Sequence, residues 1–170
     1  SYLEATKKLL NGGFSMLTDF GGRIDDKQQI WVQGDSNDAA MRRQEIVRKI
    51  RRGKIEIKGA VLIGRHCEID DGVRIENSCI DNFTRIGRGA IIENSAVMDR
   101  ATIGQYAEIQ DSIIGRHTTV KSSSRKKTSI CNISVVADDV TIDEGSTLDS
   151  ARIYPHQHAR GNFKNQTLVS

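Results

Sequence analysis

The sequence lacks several features that would assign it to a particular class of protein. It contains no apolar run of about 18 residues, which is the length that indicates a transmembrane helix. Its opening stretch, SYLEATKKLL, is charged throughout and has no apolar segment of the kind found in secretory signals. The three cysteines are odd in number and lack CxxC spacing, which favours free thiols in a reducing compartment. We therefore expect a cytoplasmic protein that does not bind a membrane.

The net charge is too small to indicate a nucleic-acid-binding protein. It is +3, from 25 Lys and Arg against 22 Asp and Glu. Much of the positive charge lies in one short segment that contains Arg42, Arg43, Arg48, Lys49, Arg51, Arg52 and Lys54. This cluster favours the solvated face of a helix, and a binding site for an acidic partner is the alternative.

What the sequence does contain is an internal repeat. Aliphatic residues return at steps of six, with a step of five after Ile75, Ile92 and Ile109, so that the full period is 17. The period is visible in IENSCIDNFTRIGRGAI, IENSAVMDRATIGQYAE and IQDSIIGRHTTVKSSSR, which follow one another directly. The aliphatic column comprises Ile57, Ile63, Ile69, Ile75, Ile80, Ile86, Ile92, Val97, Ile103, Ile109, Ile114, Val120, Val136, Ile142, Leu148 and Ile153. Periods of six and five do not occur in an amphipathic helix.

A second column of small or β-branched residues lies four positions after each aliphatic residue. It comprises Val61, Cys67, Val73, Cys79, Thr84, Ala90, Ala96, Ala101, Ala107, Ile113, Thr118 and Ser124. One aliphatic and one small inward residue in each short rung suit a triangular coil with three strands as its sides. The pattern predicts an all-β, single-stranded parallel β-helix of about six coils, in which Ile75, Ile92 and Ile109 form one interior row. The left hand of the coil is inferred from resemblance to hexapeptide-repeat proteins.

The chain divides into three predicted parts. Residues 1–53 form a lead-in with two short helices, one over Tyr2–Leu10 and one capped by Ser36 or Asn37 and ended by Gly53. Residues 54–158 form the β-helix, interrupted by an insertion at residues 126–130 that projects from a corner. Residues 159–170 form a tail. The lead-in and the tail are expected to cover the two ends of the helix.

The predicted register also places residues on the outer surface. One corner collects His66, Phe83, Arg100, His117, Asp139 and His156, which we interpret as a polar edge facing solvent or a neighbouring subunit. Leu62 and Ile91 fall at outward positions on the sides and indicate a face for self-association. A metal or catalytic site is the alternative interpretation of this corner. The corner histidines are two or more coils apart, about 10 Å or more, which argues against one zinc ion bound within the same chain and leaves a site shared between subunits as the alternative.

The rungs and the lead-in together resemble one family. The IENSxI and IGxxAxI rungs, YLEATKKLL, IWVQG followed by a basic helix, and IYPHQ resemble the C-terminal part of sugar-phosphate nucleotidyltransferases, especially archaeal mannose-1-phosphate guanylyltransferase and glucose-1-phosphate thymidylyltransferase-like enzymes. The resemblance implies a β-helix that assembles a dimer or trimer and positions or regulates its own N-terminal catalytic domain. That domain would use Mg²⁺ and a nucleoside triphosphate. The chain lacks the family's GxGTRxxPLT loop, so no catalytic residue, cofactor or metal ligand is assigned to it.

Acyl transfer from acetyl-CoA is the alternative function, because many left-handed β-helix proteins are acyltransferases. It needs a histidine base beside the acceptor amine, and His117, His66, His156 or His158 could serve. The chain has no counterpart of the NHLxYxGD and GAGT stretches of bifunctional N-acetylglucosamine-1-phosphate uridyltransferases. A γ-class carbonic anhydrase is a weaker alternative still, because its H-x4-H pair is absent.

Overall fold

The computed structural model describes residues 21–23, 30–33 and 37–169. The predicted helix Tyr2–Leu10 lies outside these residues. The second predicted helix is present as α1, Asn37–Arg51. It starts at one of the two predicted capping positions, and Gly53 follows it with a φ of 71°, the left-handed conformation that commonly ends a helix.

In the described residues, three sheets form the sides of a triangular solenoid, and one strand of each sheet contributes to each complete coil. The first sheet has nine strands: β1 Gly21–Arg23, β2 Ile30–Gln33, β4 Val61–Ile63, β7 Cys79–Ile80, β10 Ala96–Val97, β13 Ile113–Ile114, β16 Val135–Val136, β19 Arg152–Ile153 and β22 Thr167–Leu168. The second sheet has six: β5 Glu68–Ile69, β8 Arg85–Ile86, β11 Thr102–Ile103, β14 Thr119–Val120, β17 Thr141–Ile142 and β20 His158–Ala159. The third sheet has seven: β3 Glu56–Lys58, β6 Arg74–Glu76, β9 Ile91–Glu93, β12 Glu108–Gln110, β15 Ser129–Cys131, β18 Thr147–Asp149 and β21 Asn162–Lys164.

The register confirms the predicted interior row. Ile75 pairs with Ile92 and Ile92 pairs with Ile109 in parallel strands of the third sheet. Every residue of the predicted aliphatic column is at most 5% exposed. Burial of each such side chain contributes about 1.5–3 kcal/mol, so the stacked aliphatic rows are the main source of cohesion. The chain is a left-handed parallel β-helix, as expected, with about seven coils rather than six.

The second predicted column is wrong in the five-residue rungs. Cys79, Ala96 and Ile113 face outward there, and the inward positions are taken by Ser78, Ser95 and Ser112, all at most 1% exposed. The inward small residue lies two positions before the next aliphatic residue. In a six-residue rung, this inward position is also four residues after the previous aliphatic residue. In a five-residue rung, the residue four positions after the previous aliphatic residue comes immediately before the next aliphatic residue. Side chains alternate along a strand, so that neighbour points outward.

The buried serines form a hydrogen-bonded ladder along the solenoid. Ser95 Oγ donates to Glu93 O at 2.8 Å and accepts from Ser112 N at 3.1 Å. Ser78 Oγ accepts from Ser95 N at 3.0 Å in the same way one coil earlier. Each hydroxyl therefore satisfies an amide of the next coil, which explains the repeated IENS and IQDS sequences.

The insertion lies earlier than predicted. Ile130 pairs with Ile109 and is fully buried, and Thr128 takes the small inward position that was assigned to Ser124. Val120 and Ile130 are ten residues apart where Ile103 and Ile109 are six apart, so four extra residues project within 121–127. A single extra residue, Ile133, bulges at the next corner with a φ of 60° and 70% exposure. It allowed the sequence to be aligned one position out of register.

The segment predicted to be a tail continues the solenoid. Strands β20, β21 and β22 pair in parallel with the coil before them, so the β-helix extends past residue 158 to Leu168. Phe163 stacks on Leu148 and Leu168 on Ile153 in register, and both are half-buried against the core. These two side chains cover the C-terminal end of the interior.

The described residues of the lead-in lie at the opposite end of the solenoid. Strand β2, predicted as a short extended piece around Trp31, pairs in parallel with β4, and β1 adds an antiparallel strand beyond it. Helix α1 packs against β2 and β5, and Ile46 enters the core with 3% exposure. The helix therefore occupies the position that a strand of the second sheet would hold in a further coil.

Candidate functional site

The six residues predicted to share a corner occupy equivalent backbone positions between the first and second sheets. Each has a left-handed backbone, with φ values of 56° for His66, 59° for Phe83, 56° for Arg100, 54° for His117, 56° for Asp139 and 64° for His156. Their amides form a regular ladder, in which Phe83 N donates to Arg65 O at 2.9 Å and Arg100 N to Asn82 O at 3.0 Å. The structure therefore brings the predicted corner together, and we call these six residues the first corner.

The N-terminal half of the first corner is an aromatic and cationic stack. The rings of His66 and Phe83 are nearly parallel, with centroids 4.9 Å apart and an interplanar angle of 8°. Arg100 Cζ lies 4.6 Å from the Phe83 centroid on the other side. Phe83 is held between the two although it is 42% exposed. This arrangement combines ring stacking with a cation–π contact.

The C-terminal half of the corner is polar and open. His156 Nδ1 lies 3.7 Å from Asp139 Oδ2, and both side chains are exposed. This separation is too long for a direct hydrogen bond, and an exposed pair of this kind contributes little to stability. Among the residues that the structure describes, no group of three or more His, Cys, Asp or Glu side chains is arranged to hold a metal ion.

His158 makes the shortest histidine–carboxylate contact in the described part of the chain, and it lies away from the first corner. Its Nε2 is 2.7 Å from Asp143 Oδ1 on the outer side of the second sheet. The hydrogen bond from His158 lowers the pKa of Asp143 below its ordinary value. Sequence reasoning named His158 but missed Asp143. The pairing of Thr141 with His158 brings the two strands together, and the contact itself depends on side-chain orientation, which residue spacing does not determine.

The three outer faces of the solenoid differ in chemistry. Outward residues of the second sheet include Glu68, Arg85 and Thr102, and those of the third sheet include Arg74 and Glu108. The first sheet instead presents an unbroken apolar row, which we call the apolar face: Leu62, Cys79, Ala96, Ile113 and Val135. Four of these five side chains are partly exposed to solvent.

The two residues of the predicted self-association face lie on different sheets. Leu62 belongs to the apolar face, but Ile91 lies on the third sheet between Arg74 and Glu108. The sequence does not reveal this row, because a spacing of four residues from the preceding aliphatic residue predicts Cys79, Ala96 and Ile113 in the interior. Burial raises the pKa of the Cys79 thiol to about 12, which indicates a thiol in apolar surroundings rather than a nucleophile.

The apolar face continues into a depression at its C-terminal end. The depression has a volume of about 290 Å³ and is lined by Val135, Ala137, Arg152, Ile153, Tyr154 and Pro155. The Tyr154 side chain is 51% exposed. An exposed tyrosine and an arginine beside an apolar surface are typical of protein–protein interfaces.

A family comparison matches this solenoid. The model of the GMPPB C-terminal domain family matches residues 57–169, which is most of the chain. The chain belongs to this family. A GMPPB C-terminal domain is the left-handed β-helix that occupies the C-terminal part of a nucleotidyltransferase. The match therefore confirms the family that the sequence resembled. A comparison with curated protein sequences found no match.

Solved structures similar to this GMPPB C-terminal domain share its fold. GDP-perosamine N-acetyltransferase from Caulobacter crescentus, in complex with CoA and GDP-perosamine, is 15% identical with a TM-score of 0.55, and the match covers 73% of this chain and 62% of that one. UDP-N-acetylglucosamine acyltransferase from Francisella novicida is 21% identical with a TM-score of 0.52 and coverages of 63% and 48%. The acetyltransferase domain of PglB from Neisseria gonorrhoeae is 13% identical with a TM-score of 0.53 and coverages of 74% and 65%. The chain thus spans less than two thirds of each of these proteins.

The lead-in of this GMPPB C-terminal domain precedes the matched residues and is fixed to the solenoid by polar contacts. Lys49 Nζ donates to Ile69 O at 2.8 Å and lies 3.5 Å from Asp71 Oδ1. Arg42 Nη2 lies 3.2 Å from Glu68 Oε1. These contacts orient α1 over the edge of the second sheet. Over the residues with described structure, no helix has the length and apolarity to cross a membrane.

Proposed function

We propose that this chain is the assembly and regulatory domain of a cytoplasmic nucleotidyltransferase that makes nucleotide sugars from a sugar 1-phosphate and a nucleoside triphosphate. The catalytic domain would lie upstream and would supply the chemistry with Mg²⁺. The β-helix would join subunits into a dimer or trimer through the apolar face, with the first corner at its rim. The observation that carries this proposal is the apolar row on the outer face of the first sheet, since the outer faces of the other two sheets carry charged side chains.

The chemistry of the row supports self-association. Burying a side chain such as Ile113 or Val135 against a second copy contributes about 1.5–3 kcal/mol when burial is complete. The row spans five coils, or about 19 Å along the solenoid. A standard interface buries about 800 Å² on each partner, which is more than this narrow row offers by itself. We therefore expect the rim residues to take part and the isolated chain to associate weakly.

The test is a charge placed on the apolar face, with a matched control on another face. Ile113→Glu should abolish self-association, because the carboxylate would be desolvated in the interface. Ile91→Glu is the control, because Ile91 is also an outward isoleucine but lies on the charged third sheet. Sedimentation velocity at concentrations up to about 0.1 mM reports weak association of this order. Circular dichroism melting curves confirm that both variants fold.

Two results would contradict the proposal. One is a wild-type chain that stays monomeric at every concentration, and the other is an equal loss of association in both variants. The division of labour with an upstream domain is tested separately. The chain alone should not release pyrophosphate from a nucleoside triphosphate and a sugar 1-phosphate.

Acyl transfer remains the second candidate, because the structurally similar proteins named above are acyltransferases and His158 is paired with Asp143. A histidine held by a carboxylate could act as a general base toward an amine. Isothermal titration with acetyl-CoA is the discriminating measurement. Saturable binding that is lost in His158→Ala or His117→Ala would favour this function over assembly.

A further inference from the structure

The outward surface of helix α1 carries a compact group of arginines. Arg48, Arg51 and Arg52 lie within about one helical turn, at spacings of three and four residues that place side chains on one surface. All three are exposed, whereas Ile46 on the opposite surface enters the core. Arg43 flanks the group, and its Nε is buried without a hydrogen-bond partner. We call Arg43, Arg48, Arg51 and Arg52 the arginine face.

The arginine face has no acidic partner in the part of the chain that the structure describes. Other basic residues of the helix are paired, Arg42 with Glu68 and Lys49 with Asp71. No carboxylate ion pair involves a residue of the arginine face, within the described residues. Like charges at these spacings destabilise a helix. The positive charge at the helix C-terminus is favourable toward the helix dipole, but this effect does not require three arginines in one turn.

The charge distribution limits the size of the ligand. Residues 37–54 contain seven Lys and Arg against two Asp and Glu, a net charge of +5. Residues 55–169 contain fourteen basic and fifteen acidic residues, a net charge of −1. A long polyanion such as a nucleic acid would therefore gain no attraction from the solenoid beyond the helix. The localised charge favours a compact anion.

The geometry points to a ligand with clustered phosphate oxygens. The arginine face, with Gln44 and Val47, lines an open groove of about 460 Å³. Guanidinium groups donate pairs of parallel hydrogen bonds to phosphate oxygens. Helical side chains lean toward the N-terminus, so the charged groups lie over the middle of α1 rather than over its carbonyl end. We propose that the arginine face binds a compact polyphosphate, either free pyrophosphate or tripolyphosphate or the triphosphate of a nucleotide.

This site is separate from the proposed assembly surface. The helix lies at the N-terminal end of the solenoid, where it packs against β2 and β5, whereas the apolar face runs along the outer side of the first sheet from Leu62 to Val135. Loss of polyphosphate binding would therefore leave self-association unchanged, and a failure of either proposal can be recognised without the other.

The test is calorimetric titration of the whole chain with inorganic pyrophosphate, tripolyphosphate and ATP in low salt. The triple variant Arg48→Gln, Arg51→Gln, Arg52→Gln should weaken binding by about tenfold or more, because it removes charge-assisted hydrogen bonds. The control triple variant Arg88→Gln, Arg116→Gln, Arg160→Gln removes the same charge from exposed positions on separate coils. It should leave affinity within about twofold, since only long-range attraction is lost. Tighter binding of ATP than of tripolyphosphate would identify a nucleotide as the source of the phosphates.

Three results would overturn the proposal: no saturable binding of any of the three anions, equal weakening in both triple variants, or binding confined to duplex DNA or to vesicles containing phosphatidylserine. Because all the substituted arginines are exposed, thermal unfolding curves should superimpose for the three proteins. The arginine-face variant can then be compared directly with its control.

Discussion

The register of the solenoid makes a sharp prediction about two adjacent isoleucines of strand β9. Ile92 is fully buried in the interior row between Ile75 and Ile109, whereas Ile91 is outward and partly exposed. Ile92→Ala should cost about 2–5 kcal/mol, because it removes buried methyl groups and leaves a cavity. Ile91→Ala should cost about 0.5 kcal/mol, as expected for a surface substitution. The two variants make the same chemical change one residue apart.

Urea unfolding followed by far-ultraviolet circular dichroism measures the difference. A domain of this kind is stable by about 5–15 kcal/mol, so Ile92→Ala should shift the midpoint strongly and Ile91→Ala should barely change it. Because each coil contacts only its neighbours, a broadened transition in Ile92→Ala would also fit local loss of the middle coils. Equal shifts, or a larger shift for Ile91→Ala, would show that the alternation of strand β9 is assigned to the wrong faces.

Two further predictions concern buried polar groups. Ser95→Ala leaves the amide of Ser112 without its acceptor and should lower the free energy of unfolding in urea by about 1–3 kcal/mol. Ser150→Ala should lower it by less, because the Ser150 hydroxyl only donates hydrogen bonds and accepts none from a backbone amide. Equal losses of stability would contradict the role given to the serine ladder. Burial raises the pKa of Cys67 to about 12 and also raises that of Cys131, but Cys67 is buried whereas Cys131 is partly exposed, so in the native protein a thiol reagent followed by mass spectrometry should label Cys131 before Cys67. Rapid native labelling of Cys67 would show that its coil opens readily.

The fold was predictable because the interior of the solenoid imposes a strict period. Every coil stacks its aliphatic residues directly on those of the previous coil, so a row such as Ile75, Ile92 and Ile109 is visible as a spacing of 17. The requirement is repeated in every coil, and a single irregular rung cannot hide it. Both the β-helix and the family were therefore accessible from the sequence.

The errors arose where the repeat changes length. In a five-residue rung, the spacing from the previous aliphatic residue no longer indicates whether a side chain faces the interior or the solvent. The spacing therefore predicts Cys79, Ala96 and Ile113 in the interior, where the structure has them facing outward. In the fifth coil the extra residue Ile133 offset part of the longer insertion, so two alignments fitted the sequence almost equally well. Burial decides between them, because Ile130 fills the interior row while Ile133 is 70% exposed.

The candidate surface was only partly predictable for a related reason. The six positions of the first corner follow from the repeat, and the structure places them together. The contact between His66 and Phe83 depends on side-chain orientation across coils, which spacing does not determine. The apolar face could not be recognised while three of its five residues were counted as interior. The Asp143–His158 contact depends on side-chain orientation in the same way.

The three corners solve the same backbone problem with different residues, and the difference bears on function. Each corner needs a positive φ, and the second corner uses small polar residues that tolerate it, namely Asn77, Asn94, Asp111, Asn132, Ser150 and Asn165. The third corner uses glycine at Gly72, Gly89, Gly145 and Gly161, and Tyr106, with a φ of 60°, is the exception. The first corner instead places His66, Phe83 and Arg100 in this conformation, although a left-handed backbone costs about 1–2 kcal/mol for a residue with a Cβ atom. The first and second corners both border the apolar face, because each joins strands of the first sheet to those of a neighbouring sheet, but only the first corner carries bulky side chains there in every coil from His66 to Arg100. Aromatic and arginine side chains at the rim of an apolar surface can contact a partner in an interface, whereas glycine or asparagine in the same place would offer little contact area. The strained corner and the apolar face thus support the same proposal, assembly through the first sheet, from two independent properties of the chain.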